Sequence, residues 1–129
     1  MTAQSQTGGE VLLIATEWRA RALLLAELRE AGYEVVALPG MRAAFPPLVA
    51  GQVRPALAVL DLVGDPEARP RRVRQMLRFL EGVPVVLLVG AYGVPSFTPL
   101  REEVDAWLTR PLRVGSVVAA VQRLYPPTR

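Results

Sequence analysis

Five short, strongly apolar runs divide this chain of 129 residues, and stretches with helical periodicity separate them. Runs 11–15, 56–61 and 83–89 are almost continuous in Val, Leu, Ile and Ala, which is typical of strands buried on both faces of a sheet. Runs 33–38 and 104–108 supply two further strands. Because strands and helices alternate along the chain, we predict an α/β fold, a flavodoxin-like five-stranded parallel sheet with helices on both faces.

Helix boundaries follow from the spacing of apolar residues and from the prolines. Since proline has no backbone N–H, Pro46 and Pro47 must lie in the first turn of the second helix or distort it. Thr98 and Pro99 predict the start of a fourth helix, which is short because a strand begins again at Val104. The other helices are predicted over 18–31, 41–50, 70–81 and 115–124.

The chain is predicted to form one domain over 10–125. Residues 1–9 are small and polar and are expected to be a flexible tail, with a second short tail over 126–129. No basic segment precedes an apolar stretch near the start of the sequence. The longest apolar run, around 83–92, is well short of the ~20 residues that a spanning helix needs. We therefore expect a cytoplasmic protein.

Composition excludes most kinds of enzyme chemistry. The chain has no cysteine and no histidine, and all fifteen of its basic residues are arginine. Thiolate and imidazole metal ligands, the usual general base and Schiff-base lysines are therefore absent. We expect no enzymatic activity and no cofactor. The net charge of +3 is modest for a nucleic-acid-binding protein.

Asp61 is the most informative polar residue. It closes the apolar run 56–61 and precedes the loop 62–66. A carboxylate that ends a buried strand is costly unless the strand's tip is exposed or the carboxylate has a partner. In an open α/β sheet the carboxyl ends of the strands are where ligands collect.

Three segments carry a family resemblance: 84–88 as the fourth strand, the sequence DAWLTRP at 105–111, and EAGYEV at 30–35. With Asp61 at the end of the third strand, the chain resembles the CheY-like receiver domain of two-component response regulators over almost its whole length. A receiver takes a phosphoryl group from a histidine kinase onto that aspartate. The resemblance therefore implies that Asp61 is the candidate phospho-acceptor.

The resemblance also implies that the helpers of Asp61 are mostly missing. The acidic pair that holds Mg²⁺ in receivers corresponds to Ala15 and Thr16, neither of which has a carboxylate. The hydroxyl residue that ends the fourth strand corresponds to Val89, and the switch aromatic of the fifth strand to Trp107. In receivers a lysine before a proline, near the end of the fifth strand, pairs with the acceptor aspartate. That lysine corresponds to Arg110, which has the same charge but a differently shaped side chain.

We interpret the chain as a degenerate receiver, or pseudo-receiver, that is not phosphorylated and acts through protein–protein interaction. Asp61 is then a structural residue paired with Arg110, and Mg²⁺ binding is not expected. One alternative is an atypical response regulator phosphorylated on Asp61, with help from a partner or from Glu17 reaching a metal in a shifted geometry. A second is a small basic nucleic-acid-associated protein that uses Arg71, Arg74 and Arg78 of the third helix.

The partner is expected to be another signalling protein or a second copy of this chain in a homodimer, with no membrane contact. In receivers the face formed by the fourth helix, fifth strand and fifth helix carries many such contacts. A short fourth helix would leave apolar side chains uncovered there. The candidates for this apolar surface are Val94, Phe97, Leu100 and Trp107. The opposite possibility, that these side chains fill the core beneath the loop, stays open.

Overall fold

Strands and helices alternate through residues 9–127, the part of the chain that the computed structural model describes. All strand pairs are parallel, and the order across the sheet is β2-β1-β3-β4-β5. The strands are β1 (Val11–Ala15), β2 (Val35–Leu38), β3 (Leu57–Asp61), β4 (Val85–Val89) and β5 (Ala106–Thr109). The helices are α1 (Trp18–Glu30), α2 (Met41–Val49), α3 (Pro70–Phe79), α4 (Val94–Phe97) and α5 (Val114–Leu124).

Two apolar layers cover the two faces of the sheet. Because successive side chains of a strand point to opposite faces, Leu12 and Ile14 join one layer while Val11 and Leu13 join the other. Helices α2 and α3 pack on the first layer, and α1 and α5 pack on the second. The three central strands β1, β3 and β4 are buried along their whole lengths. The predicted fold class is confirmed.

Of the two possibilities predicted for the prolines of α2, a place in the first turn or a distorted helix, the first is not observed. Pro46 and Pro47 occupy the second turn of the helix rather than the first. Neither can donate a hydrogen bond, so the carbonyls of Arg42 and Ala43 receive no helical N–H from them. The helix nevertheless continues, because the backbone N–H of Ala50 donates to the Pro46 carbonyl at 3.0 Å. Buried contacts of the α2 side chains with the first apolar layer compensate for the two missing bonds.

The fourth helix is short, as predicted, but it begins at Val94 and not at Thr98. It has four residues and lies between two 3₁₀ segments, Ala91–Gly93 and Thr98–Glu103. Pro95 and Pro99 prevent a longer α-helix because each removes one backbone donor. The 3₁₀ segment also displaces the start of the fifth strand from Val104 to Ala106.

The other boundaries, including the starts of the strands, differ by two residues or fewer from the predicted ones. The predicted tail residues 1–8 and 128–129 lie outside the described part of the chain. Gly9 is described, and its N–H donates to the Tyr125 hydroxyl at 2.8 Å. Within residues 9–127 no helix is long and apolar enough to cross a membrane.

Candidate functional site

Asp61 lies at the carboxyl end of the central strand β3, and only 1% of it is exposed. Its Oδ1 accepts a hydrogen bond from the backbone N–H of Val63 at 3.1 Å. That bond closes a tight turn in which the aspartate side chain holds the loop that follows its own strand. One carboxylate oxygen is therefore used to shape the loop.

The second carboxylate oxygen is paired with Arg110. The Arg110 Nη2 donates to Asp61 Oδ2 at 2.5 Å across the sheet, so the pair that the sequence predicted is formed. Arg110 follows β5, which is separated from β3 by β4, and the long guanidinium side chain spans this gap. The Arg110 side chain is 28% exposed, whereas that of Asp61 is almost fully buried. The peptide bond between Arg110 and Pro111 is cis.

On the other side of Asp61, the end of β1 carries no carboxylate. Ala15 is the direct neighbour of Asp61 in the sheet and is fully buried. The guanidinium of Arg21, one turn into α1, donates to the Ala15 carbonyl at 2.8 Å and to the Thr16 carbonyl at 3.3 Å. An arginine thus occupies the backbone acceptors at the end of the strand next to Asp61.

A second buried carboxylate, Asp65, connects two loops at the same edge. Its Oδ2 accepts from the N–H of Met41, the first residue of α2, and its Oδ1 accepts from the N–H of Glu67. A carboxylate at a helix N-terminus is favoured by the helix dipole. Gly40, with a φ of 145°, allows the start of α2 to lie close to Thr16, because a Cβ on residue 40 would be only 2.9 Å from the Thr16 Oγ1.

The Mg²⁺ site implied by the resemblance to receivers does not fit these donors. Mg²⁺ needs several oxygen ligands in octahedral geometry. Asp61 is paired with a guanidinium, Ala15 offers a methyl group, and both oxygens of Asp65 accept backbone N–H bonds. The Thr16 Oγ1 is buried without a hydrogen-bond partner among the described residues, but it carries no charge. Among residues 9–127 no three acidic side chains are grouped so as to hold a metal ion.

Glu17, the alternative metal ligand, has another role. Its Oε1 accepts from the backbone N–H of Ala20 at 2.8 Å, which makes Glu17 the N-cap of α1. A cap of this kind satisfies one of the free N–H groups at the start of a helix. The contact gives no support to the shifted metal geometry.

The two positions that the resemblance associates with switching are packed into the apolar layer. Val89 is fully buried at the end of β4, so no side-chain hydroxyl faces Asp61 from that strand. Trp107 is partly buried against the same layer. The Arg101 guanidinium lies 5.6 Å from the centre of its ring, within cation–π range.

The predicted apolar surface near α4 is wrong for two of its four members. Leu100 is completely buried and Phe97 is 7% exposed, and both belong to the core layer beneath α4. Phe97 ends α4 and Leu100 lies in the 3₁₀ segment that follows, and both side chains point into the core, so the shortened helix and this segment together cover it. Val94 and Trp107 are partly exposed.

The arginines of α3 are partly neutralised. Arg74 pairs with Glu103 at 3.0 Å and Arg72 with Glu67 at 3.3 Å. The Arg72 guanidinium also lies 3.9 Å from the centre of the Phe45 ring. Of the predicted basic stripe, Arg74 therefore has an acidic partner, whereas Arg71 and Arg78 are exposed and form no salt bridge with a described residue.

Comparisons with known proteins agree with the fold. No protein-family model matches the chain, and no curated protein matches it. A receiver domain from Clostridium thermocellum superimposes with a TM-score of 0.75 at 14% identity, covering 90% of this chain and 93% of that one. The NtrX receiver domain from Brucella abortus gives 0.74 at 16%, covering 92% and 100%.

Chemotaxis protein CheY4 from Vibrio cholerae gives a TM-score of 0.69 at 20% identity, covering 91% of this chain and 98% of that one. All three structures are similar to the chain along nearly its full length. The chain therefore has the CheY-like fold of response-regulator receiver domains.

Proposed function

We propose that the chain is a receiver-type signalling module that acts through protein–protein contacts without phosphorylation of Asp61. The observation that carries this proposal is the engagement of both carboxylate oxygens of Asp61, by the Val63 N–H and by the Arg110 guanidinium, in a side chain that is almost fully buried. We propose no enzymatic activity and no cofactor for it.

The chemistry of phosphoryl transfer to a carboxylate explains why this arrangement is unfavourable for phosphorylation of Asp61. A carboxylate that attacks a phosphoryl group needs a free oxygen, and the developing charge needs a cation close to the phosphoryl oxygens. Here both oxygens are engaged, one by the Val63 N–H and the other by Arg110. The neighbouring strand supplies a methyl group at Ala15 instead of a metal-binding carboxylate.

A phosphoryl group on Asp61 would also find no hydrogen-bond donor in the side chain at the end of β4. The side chain of Val89 at the end of β4 cannot donate a hydrogen bond, so a phosphate on Asp61 would not draw the β4 loop inwards. The Asp61–Arg110 pair instead fixes one arrangement of the edge. The module would present a constant surface, and regulation would come from its partner.

Intact-mass measurement tests this proposal. Incubation with acetyl phosphate and Mg²⁺ is expected to leave the mass of the wild-type protein unchanged, with a phosphorylatable receiver in the same reaction as a reagent control. The Thr16→Asp/Arg110→Lys variant restores one carboxylate and the shorter cation, and uptake by this variant alone would support the explanation. A stoichiometric phosphoryl adduct on the wild type, lost in Asp61→Asn, would overturn the proposal.

A further inference from the structure

Charge is unevenly distributed between the two edges of the sheet. We define the carboxyl edge as the strand ends, the loops after them and the first turns of the following helices, residues 15–21, 38–43, 61–72, 89–93 and 109–113. This edge contains eight arginines and four acidic residues, a net charge of +4. The other described residues contain six arginines and eight acidic residues, a net charge of −2.

The four acidic groups of the carboxyl edge are all engaged within the chain. Glu17 caps α1, Asp65 caps α2, Asp61 pairs with Arg110, and Glu67 accepts from the Arg72 Nε at 3.3 Å. Five arginines of the same edge are exposed and form no salt bridge with a described residue. They are Arg19, Arg42, Arg69, Arg71 and Arg113.

Two aromatic side chains are exposed at this edge. Trp18, at the start of α1, is 62% exposed, and Tyr92, in the segment after β4, is fully exposed. Strands β1 and β4 are the two neighbours of β3, so these aromatic residues follow the strands on either side of Asp61. Trp, Tyr and Arg are the residues most enriched where protein interfaces gain their binding energy.

We propose that the carboxyl edge docks an acidic segment of a partner protein, with the exposed arginines pairing its carboxylates and Trp18 and Tyr92 packing on its apolar groups. The proposal rests on the proposed function in one respect, that the partner is a protein. An edge that holds a divalent cation in phosphorylatable receivers would here attract anions instead. An acidic segment is proposed as the partner because its negative charge complements the net positive charge of the carboxyl edge.

A protein partner fits the distribution of charge better than a nucleic acid does. Nucleic-acid binding depends on a continuous positive track along evenly spaced phosphates. Glu17 and Glu67 lie among the arginines of the carboxyl edge, and the exposed Glu17 would repel a phosphate backbone that crosses it. A folded or extended acidic protein segment can place its carboxylates between these interruptions.

Fluorescence anisotropy with two probes tests the proposal. The first probe is a labelled peptide that alternates glutamate and leucine, and the second is a labelled oligothymidine of equal formal charge. The edge variant is Arg42→Glu/Arg113→Glu. The matched control is Arg54→Glu/Arg123→Glu, which makes the same charge change at exposed arginines outside the carboxyl edge.

We expect the edge variant to bind the peptide at least about tenfold more weakly, since two exposed attractions become repulsions, while the control changes affinity by less than about threefold. Tyr92→Ala should also weaken binding, and because the side chain is fully exposed the fold should be unchanged, which circular dichroism checks. The oligothymidine should bind more weakly than the peptide.

Three results would overturn the proposal: no peptide binding by the folded wild type, equal loss in the edge and control variants, or tighter binding of the oligothymidine. The last result would identify a nucleic-acid surface. None of them bears on phosphoryl uptake, so failure here is distinguishable from failure of the proposed function.

Discussion

Removal of Arg110 should reveal how much the Asp61–Arg110 pair contributes to stability. Arg110→Ala leaves a carboxylate that is 1% exposed with the Val63 N–H as its remaining hydrogen-bond donor. Loss of one partner from a fully buried ion pair costs about 3–5 kcal/mol. The Arg110 side chain is 28% exposed, so water can enter the space it leaves. We therefore expect a loss of about 2–3 kcal/mol in the free energy of unfolding.

Urea denaturation at neutral pH, followed by far-ultraviolet circular dichroism, measures this loss. The denaturation midpoint should fall while the slope of the transition stays constant, because the surface exposed on unfolding hardly changes. The matched background is Asp61→Asn, which keeps the shape of the side chain and removes its charge. In that background Arg110→Ala should cost less than about 1 kcal/mol, since no buried charge is left unpaired.

The reasoning would be refuted if Arg110→Ala cost the same in both backgrounds, or less than about 0.5 kcal/mol in the wild type. Equal costs would mean that Arg110 stabilises the fold through packing of its aliphatic part. A negligible cost would mean that Asp61 is solvated in solution.

Three further substitutions test other parts of the structure. Asp65→Ala should lower the free energy of unfolding by about 1–3 kcal/mol in urea denaturation, because the first N–H of α2 loses its buried acceptor. Glu17→Ala should cost about 1 kcal/mol by the same measurement, as expected for a helix cap. Burial, and then the nearby Tyr125, raise the pKa of Tyr33 above its usual value of 10.0. The neutral hydroxyl therefore contributes stability that is present below about pH 10 and is lost as the pH rises through the raised pKa, so the midpoint of wild-type unfolding should fall there more steeply than that of Tyr33→Phe.

The order of elements and the layers of the fold were predictable because each central strand is apolar on both faces. The pattern of β1, β3 and β4 leaves little alternative to a parallel sheet covered on both sides. The region from Ala91 to Glu103 was less predictable. Two prolines and the tertiary packing of Leu100 decide between α-helix and 3₁₀-helix there. The spacing of apolar residues along the sequence reveals neither effect.

The pairing of Asp61 with Arg110 was predictable because the resemblance to receivers implies the strand order and places Arg110 where receivers have a lysine that pairs with the aspartate. The roles of Arg21 and Asp65 were missed. Arg21 lies on an amphipathic helix among other charged residues, and its contact with the carbonyls of β1 depends on how α1 packs. Asp65 precedes a proline in a loop, a weak sign of a turn, and nothing in the sequence links it to the start of α2.

The central claim is that the protein's own guanidinium, and not a metal ion, holds the Asp61 carboxylate. The sequence contains three aspartates, so protein labelled with ¹³C at the aspartate side-chain carboxyls should give three assignable signals, with Asp61→Asn identifying that of Asp61. On titration with Mg²⁺ to several millimolar, we predict that the Asp61 signal moves no more than those of Asp65 and Asp105. A saturable shift of the Asp61 signal alone, with a sub-millimolar dissociation constant, would contradict the account.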